Sequence, residues 1–211
     1  MERDRVARPA LSLTPEHDWA AAATVLRPAF RAVGTTGTDG KALVLPSTRG
    51  GAGKPIVRSG PAGLPLVYVI PGPGFDVVVA VEHLLAWGVG PDAVHAAAVA
   101  NLAEWSVGAP WADEIDGDRR VVWSDQGEGL DAVRILLPEV RARIVADLGA
   151  AHRVLVGLPE RDLLVAARLA EGDAEFESMF ADYVADRAAA ADEPIDARIF
   201  ELVDGDLVAG Y

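Results

Sequence analysis

The sequence predicts an α+β protein: a largely antiparallel sheet built from successive β-hairpins joined by helices packed on one face. Three observations carry this. Paired apolar runs flank turn residues at four places, opening near residues 66, 111, 153 and 197. Stretches with apolar residues at helical spacing lie between these pairs. Hairpins strung together by helices favour antiparallel pairing over a doubly wound nucleotide fold.

The elements follow in chain order. Pro15 to Ala32 reads as a helix, with Thr14 as N-cap, Pro15 at the first position and Glu16 and Asp18 at the positive end of the dipole. Residues 34–63 are rich in glycine and proline, which favour turns and loops; Ala42 to Leu45 is a short isolated strand within them. Residues 1–60 are therefore expected to be a helix plus a mobile, loop-rich arm, and residues 61–211 the α+β domain. Leu66–Ile70 and Phe75–Val81 flank Pro71-Gly72-Pro73-Gly74 as the first hairpin. Glu82 to Trp87 is a short helix closed by Gly88, and Pro91 opens a longer one carrying Val94, Ala98, Leu102 and Trp105. Trp111–Ile115 and Arg119–Ser124 flank Asp116-Gly117-Asp118, a strong hairpin turn. Leu130 to Leu148 is helical, with Ile135, Val140, Ile144 and Leu148 in its apolar stripe and Gly149 closing it. His152–Leu158 and Asp162–Ala167 form the third hairpin around Pro159-Glu160-Arg161. Asp173 to Ala191 is the last helix, and Ala197–Val203 with Leu207–Gly210 the fourth hairpin.

Composition narrows the function. The chain has 211 residues, no cysteine, 19 basic against 32 acidic side chains and a formal charge of −13. No cysteine means no thiol catalysis, no Cys-ligated metal and no disulfide, which fits a cytoplasmic location. The negative charge opposes nonspecific nucleic-acid binding and docking to anionic lipid. No window supplies the roughly 18 consecutive apolar residues of a membrane span, and the N-terminus lacks the charged-then-apolar pattern of a signal peptide.

Chemical motifs are sparse. Gly50-Gly51-Ala52-Gly53-Lys54 resembles a phosphate-binding loop only superficially: Thr48 replaces the first glycine and Pro55 the magnesium-binding hydroxyl. His17, His83, His95 and His152 show no metal-ligand spacing, so no metal and no cofactor are expected. No serine sits in an activating motif, and no catalytic residue is assigned. The five tryptophans, with little basic charge near them, read as packing residues and not as base-stacking platforms.

Three segments carry a family resemblance. Val81 to Val89 with Ala98 to Leu102 looks like the "helix, Trp-Gly, helix, Asn-Leu" stretch of the YtpQ-like family. Gly129 to Pro138 is similar to its Asp-Ala-Ser stretch before a leucine-rich helix, with Val133 in place of the serine. Val156 to Leu164 is similar to its Pro-x-Arg-Asp hairpin. That bacterial family has a domain of unknown function. The resemblance spans roughly residues 64–170 and implies a cytoplasmic α+β protein without naming an activity.

The ligand-binding candidates are Asp131, Arg134, Arg161 and Asp162. A helix from Leu130 to Leu148 runs ~28 Å at about 1.5 Å per residue. The following strand returns ~23 Å at about 3.3 Å per residue. The turn at Arg161 therefore lands beside Asp131 at the helix start. Arg161 then either clasps Asp131 or faces a cleft and holds an anion beside the helix N-terminus. The function expected is that of a non-enzymatic binding or adaptor protein, working through a protein partner or a homo-dimer. The alternative is a hydrolase or small-ligand (anion) binding domain assembled from dispersed Asp, Glu, His and Arg residues.

Overall fold

The computed structural model describes residues 15–31, 54–72, 75–149 and 152–210. The glycine-rich stretch up to Gly53, with its expected strand at Ala42–Leu45, lies outside the described residues. The fold is α+β with antiparallel sheets. All four expected hairpins form: β3 (Pro65–Gly72) with β4 (Phe75–Val78), β5 (Ala112–Asp116) with β6 (Arg119–Ser124), β7 (Arg153–Glu160) with β8 (Leu163–Leu169), and β9 (Ile199–Val203) with β10 (Asp206–Ala209). The β9–β10 turn places Asp204 at φ 52° and Gly205 at φ 84°, the left-handed pair that matches strand twist in a two-residue hairpin.

The hairpins divide between two sheets instead of joining one. β3 lies between β1 (Arg27–Phe30) and β2 (Arg58–Ser59) and also pairs with β4. The other three hairpins make a six-stranded sheet in the order β10-β9-β7-β8-β6-β5.

Two prolines account for two corrections. The first expected helix shrinks to α1 (Trp19–Ala23), capped by Asp18, whose carboxylate accepts from the Ala20 and Ala21 amides. Residues 27–30 are a strand instead. Pro28 disfavours helical geometry in Arg27 and lacks an N–H, which an edge strand tolerates. Residues 27–30 and 58–59 are hydrogen-bonded to β3, so these parts of the expected arm belong to a sheet of the expected domain. The long helix from Leu130 likewise breaks before Pro138. Leu137 is extended at φ −80°, ψ 121°, separating a 3₁₀ turn (Ala132–Leu136) from α4 (Pro138–Leu148).

Helices α2 (Val81–Trp87), α3 (Pro91–Gly108) and α5 (Ala174–Ala190) match expectation. Gly88 ends α2 in the left-handed conformation at φ 68°. The helices lie on both faces of the six-stranded sheet, which amends the one-face arrangement. Val154, Val156, Leu158, Leu164 and Ala166 point to the larger core, shared with α3, α4 and the four-stranded sheet. The alternate residues Leu155, Leu163, Val165 and Ala167 pack under Phe176, Phe180 and Val184 of α5. Both faces of β7 and β8 are apolar because both are covered. No helix among the described residues is long and apolar enough to cross a membrane.

Candidate binding cleft

Three connections converge at one end of the six-stranded sheet: the loop after β6, the β7–β8 turn and the segment after α5. A bulge between Gly157 and Glu160, at Pro159, frees the backbone of β7 there. The Leu158 and Pro159 carbonyls accept from the Asp196 and Ile195 amides, which draws residues 192–196 alongside the turn. The cleft enclosed has a volume of about 470 Å³ and is lined by Gly127, Glu128, Gly129, Glu160, Arg161, Asp162, Asp192 and Glu193.

The turn lands where the length argument places it: the Arg161 carbonyl accepts from the Ala132 amide at 3.2 Å. The Arg161–Asp131 clasp does not form. Arg161 donates to Glu193 at 2.7 Å and to Asp76 of β4 at 3.3 Å, and Arg31 joins the same two carboxylates at 2.5 and 3.5 Å. This four-membered ion-pair network ties the two sheets together. Burial pushes the Glu193 carboxyl up, but hydrogen bonds from Arg161 and Arg31 outweigh that and hold it below the usual glutamate range. The guanidinium also lies flat over Gly129. The φ of 73° there favours glycine, and a Cβ would stand 1.9 Å from Arg161 Nη2, so a larger residue would also have to displace the guanidinium from its place over the loop. Asp162 holds the same loop by accepting from the Gly129 amide.

The other two candidates lie elsewhere. Asp131 is 0% exposed and Arg134 1%. Ser124 links them, donating to Asp131 Oδ1 and accepting from Arg134 Nη1 at 2.6 Å. Asp131 Oδ2 accepts from the amides of Gln126 and Gly127 at 3.0 and 3.3 Å. Arg134 also donates to the Ser106 hydroxyl and to the Ser106 and Ala109 carbonyls, and its guanidinium stacks 4.4 Å from the Trp111 ring. Burial pushes Asp131 up and Arg134 down to about 10. This network orders the loop beneath the cleft but presents nothing to a ligand. Ser124 is fully buried, and its hydroxyl is held between Asp131 and Arg134, with no imidazole or lysine hydrogen-bonded to it among the described residues.

Glu128, Glu160, Asp192 and Glu193 were not distinguishable in the sequence from other solvated acids; only the convergence of three chain segments singles them out. His83 and His95 do not converge. The His83 ring packs by Trp87 and accepts from the Ala80 amide, whereas His95 hydrogen-bonds the Tyr68 hydroxyl at 2.8 Å. Among the described residues, no group of three or more potential ligands is placed to hold a metal ion.

The chain matches no protein-family model, no curated protein and no solved structure. The YtpQ-like resemblance thus rests on its three motifs alone.

Proposed function

We propose that this chain is a non-enzymatic binding protein whose cleft takes a positively charged group, a basic side chain of a protein partner being the class that fits. The observation carrying this is the charge of the cleft lining. Of the five carboxylates lining it, Glu160 is paired with Arg187 and Glu193 with Arg161 and Arg31, while Glu128, Asp162 and Asp192 have no ion-pair partner within 4 Å among the described residues. The one arginine of the lining is already committed to Glu193 and Asp76. An anion would find no uncommitted side-chain cation among the lining residues, so the anion-binding alternative loses its donor. The polar lining also disfavours an apolar small molecule, whose sites are mostly hydrophobic. Acid–base catalysis has less support: Glu193, held ionised by two arginines, is a fixed ion-pair partner and a poor proton donor.

The test is a titration with a tri-arginine peptide, followed by amide NMR. Resonances of Gly127, Gly129 and Asp192 should shift saturably, and added salt should weaken the binding. Replacing the exposed Glu128 and Asp192 together (E128Q/D192N) should weaken it roughly fivefold, at about 0.5 kcal/mol per exposed charge. Equal response to a tri-glutamate peptide would overturn the reading.

A further inference from the structure

The six-stranded sheet has two edges, and they are finished differently. β10 lies against the turn at Pro61–Gly63, and Arg141 of α4 donates to the Gly205 carbonyl in the β9–β10 turn at 2.6 Å. At the other edge, all five residues of β5 are exposed. The two-residue turn of the β5–β6 hairpin makes Asp116 and Arg119 the closing hydrogen-bonded pair. Alternation then turns the backbone groups of Glu114 toward β6 and those of Asp113 and Ile115 outward. That outward row is a template for another strand.

The face beside this edge is incompletely covered. α5 sits over β7 and β8, leaving Val121 and Trp123 of β6 only partly buried. Helical spacing puts Met179 and Tyr183, 54% and 45% exposed, on the flank of α5 toward β6. The direction is set by contacts of the preceding turn. The Phe176 ring lies under Arg119 of β6, while Glu177, on the opposite flank, reaches Arg153 of β7. The result is an apolar shelf with an acidic rim. Glu114 and Asp116 stand on the β5 side, and Asp182 and Asp186 on the α5 side. None of the four has an ion-pair partner within 4 Å among the described residues. On the other face of β5, Ile115 is 61% exposed.

We infer that β5 and this shelf receive an extended segment of a protein partner, in which lysine or arginine alternates with apolar residues, added to the sheet as a seventh strand. Its basic side chains would stand across from Glu114 and Asp116, with their aliphatic stems over the shelf, and its apolar residues beside Ile115. Acidic side chains on an edge ordinarily serve to block aggregation. They block a second copy for the same reason, since β5 against β5 would set carboxylates against carboxylates in a chain already at −13. An oppositely charged strand meets no such barrier. This surface is separate from the cleft, and neither proposal depends on the other.

The experiment uses the full chain and a synthetic peptide alternating lysine with valine, read by amide hydrogen exchange and affinity. The Asp113 and Ile115 amides should exchange at least about tenfold more slowly with peptide bound, while β10 is unchanged. Ile115→Pro removes an outward N–H and no β5–β6 bond, so it should abolish binding in a folded protein. Should that variant fail to fold, Glu114→Lys with Asp116→Lys carries the test, with an expected loss of at least about tenfold in affinity. The E128Q/D192N cleft variant should bind this peptide normally. Equal binding of a glutamate–valine peptide, protection centred elsewhere than β5, or a concentration-dependent dimer that buries β5 would each overturn the inference.

Discussion

Arg134 is the bulkiest fully buried side chain among the described residues, and what surrounds it explains the stretch between β6 and α4. A buried guanidinium is tolerated only where hydrogen bonds and charge replace water. Here Ser124, Ser106 and two carbonyls supply the bonds, Trp111 the stacking surface and Asp131 the opposing charge. Asp131→Ala would leave that charge unbalanced and two loop amides without their acceptor. It should destabilise by about 3–5 kcal/mol in urea unfolding, the range for breaking a buried pair. A loss under ~1 kcal/mol would mean that water enters the network. The same residues show what is readable at this scale. Asp131 and Arg134 stood out in the sequence as polar groups at the head of an apolar helix. Whether they faced ligand or core was invisible, because orientation depends on which strand and which helix end close over them.

At the scale of elements, the approach of α5 to the sheet is set by one missing side chain. Gly157 lies at the centre of β7, where a Cβ would come 2.4 Å from Val184 Cγ2 and 3.0 Å from Val165 Cγ1. Gly157→Ala should therefore lift α5 and destabilise by about 1–3 kcal/mol, the ordinary range for overpacking. Combining it with Val184→Ala tests the cause: the double variant should lose less than the sum of the single changes, because each relieves the other. Additive losses would place the strain elsewhere. Hairpins and their turns were legible because turn chemistry is local, as at Asp204-Gly205. The helices that apolar spacing predicts over residues 15–32 and 130–148 are longer than those found, because that spacing continues across Pro28 and Pro138 while the helical backbone does not. Those two residues carry the correction in the sequence itself.

For the whole molecule, the sign of the pH dependence follows from groups that lose water on folding. Burial lowers the pKa of both His83 and His95. The unfolded chain therefore takes up these protons first as pH falls through about 6.5, and stability declines below that value. Glu193, held low by Arg161 and Arg31, and Asp173, held low by Arg119, act in the same direction further into acid. Stability measured by urea unfolding should be lower at about pH 6 than at about pH 8, and His95→Gln should remove part of that difference. A flat profile over this interval would contradict the partial burial of both imidazoles. In alkali two buried groups oppose each other. Burial is the largest cause raising the Tyr68 hydroxyl to about 12, which removes stability as the unfolded chain ionises above about 10, whereas Arg134, lowered by burial to about 10, acts in the opposite sense over the same interval.

The sequence by itself determined the α+β class, the antiparallel hairpins and their turns, and most helices, since each depends on residues within a few positions of one another. It also determined the overall negative charge, which a fold can distribute but cannot change. Only the tertiary structure decided that the hairpins form two sheets, that helices cover both faces of the larger one, and that Arg161 answers Glu193 and Asp76 instead of Asp131. Only it could gather residues 127–129, 160–162 and 192–193 around one cleft. The physical reason is distance along the chain. Partners 32 or 85 residues apart, such as Arg161 with Glu193 or with Asp76, leave no periodicity or local propensity to read. Their meeting is decided when the core closes.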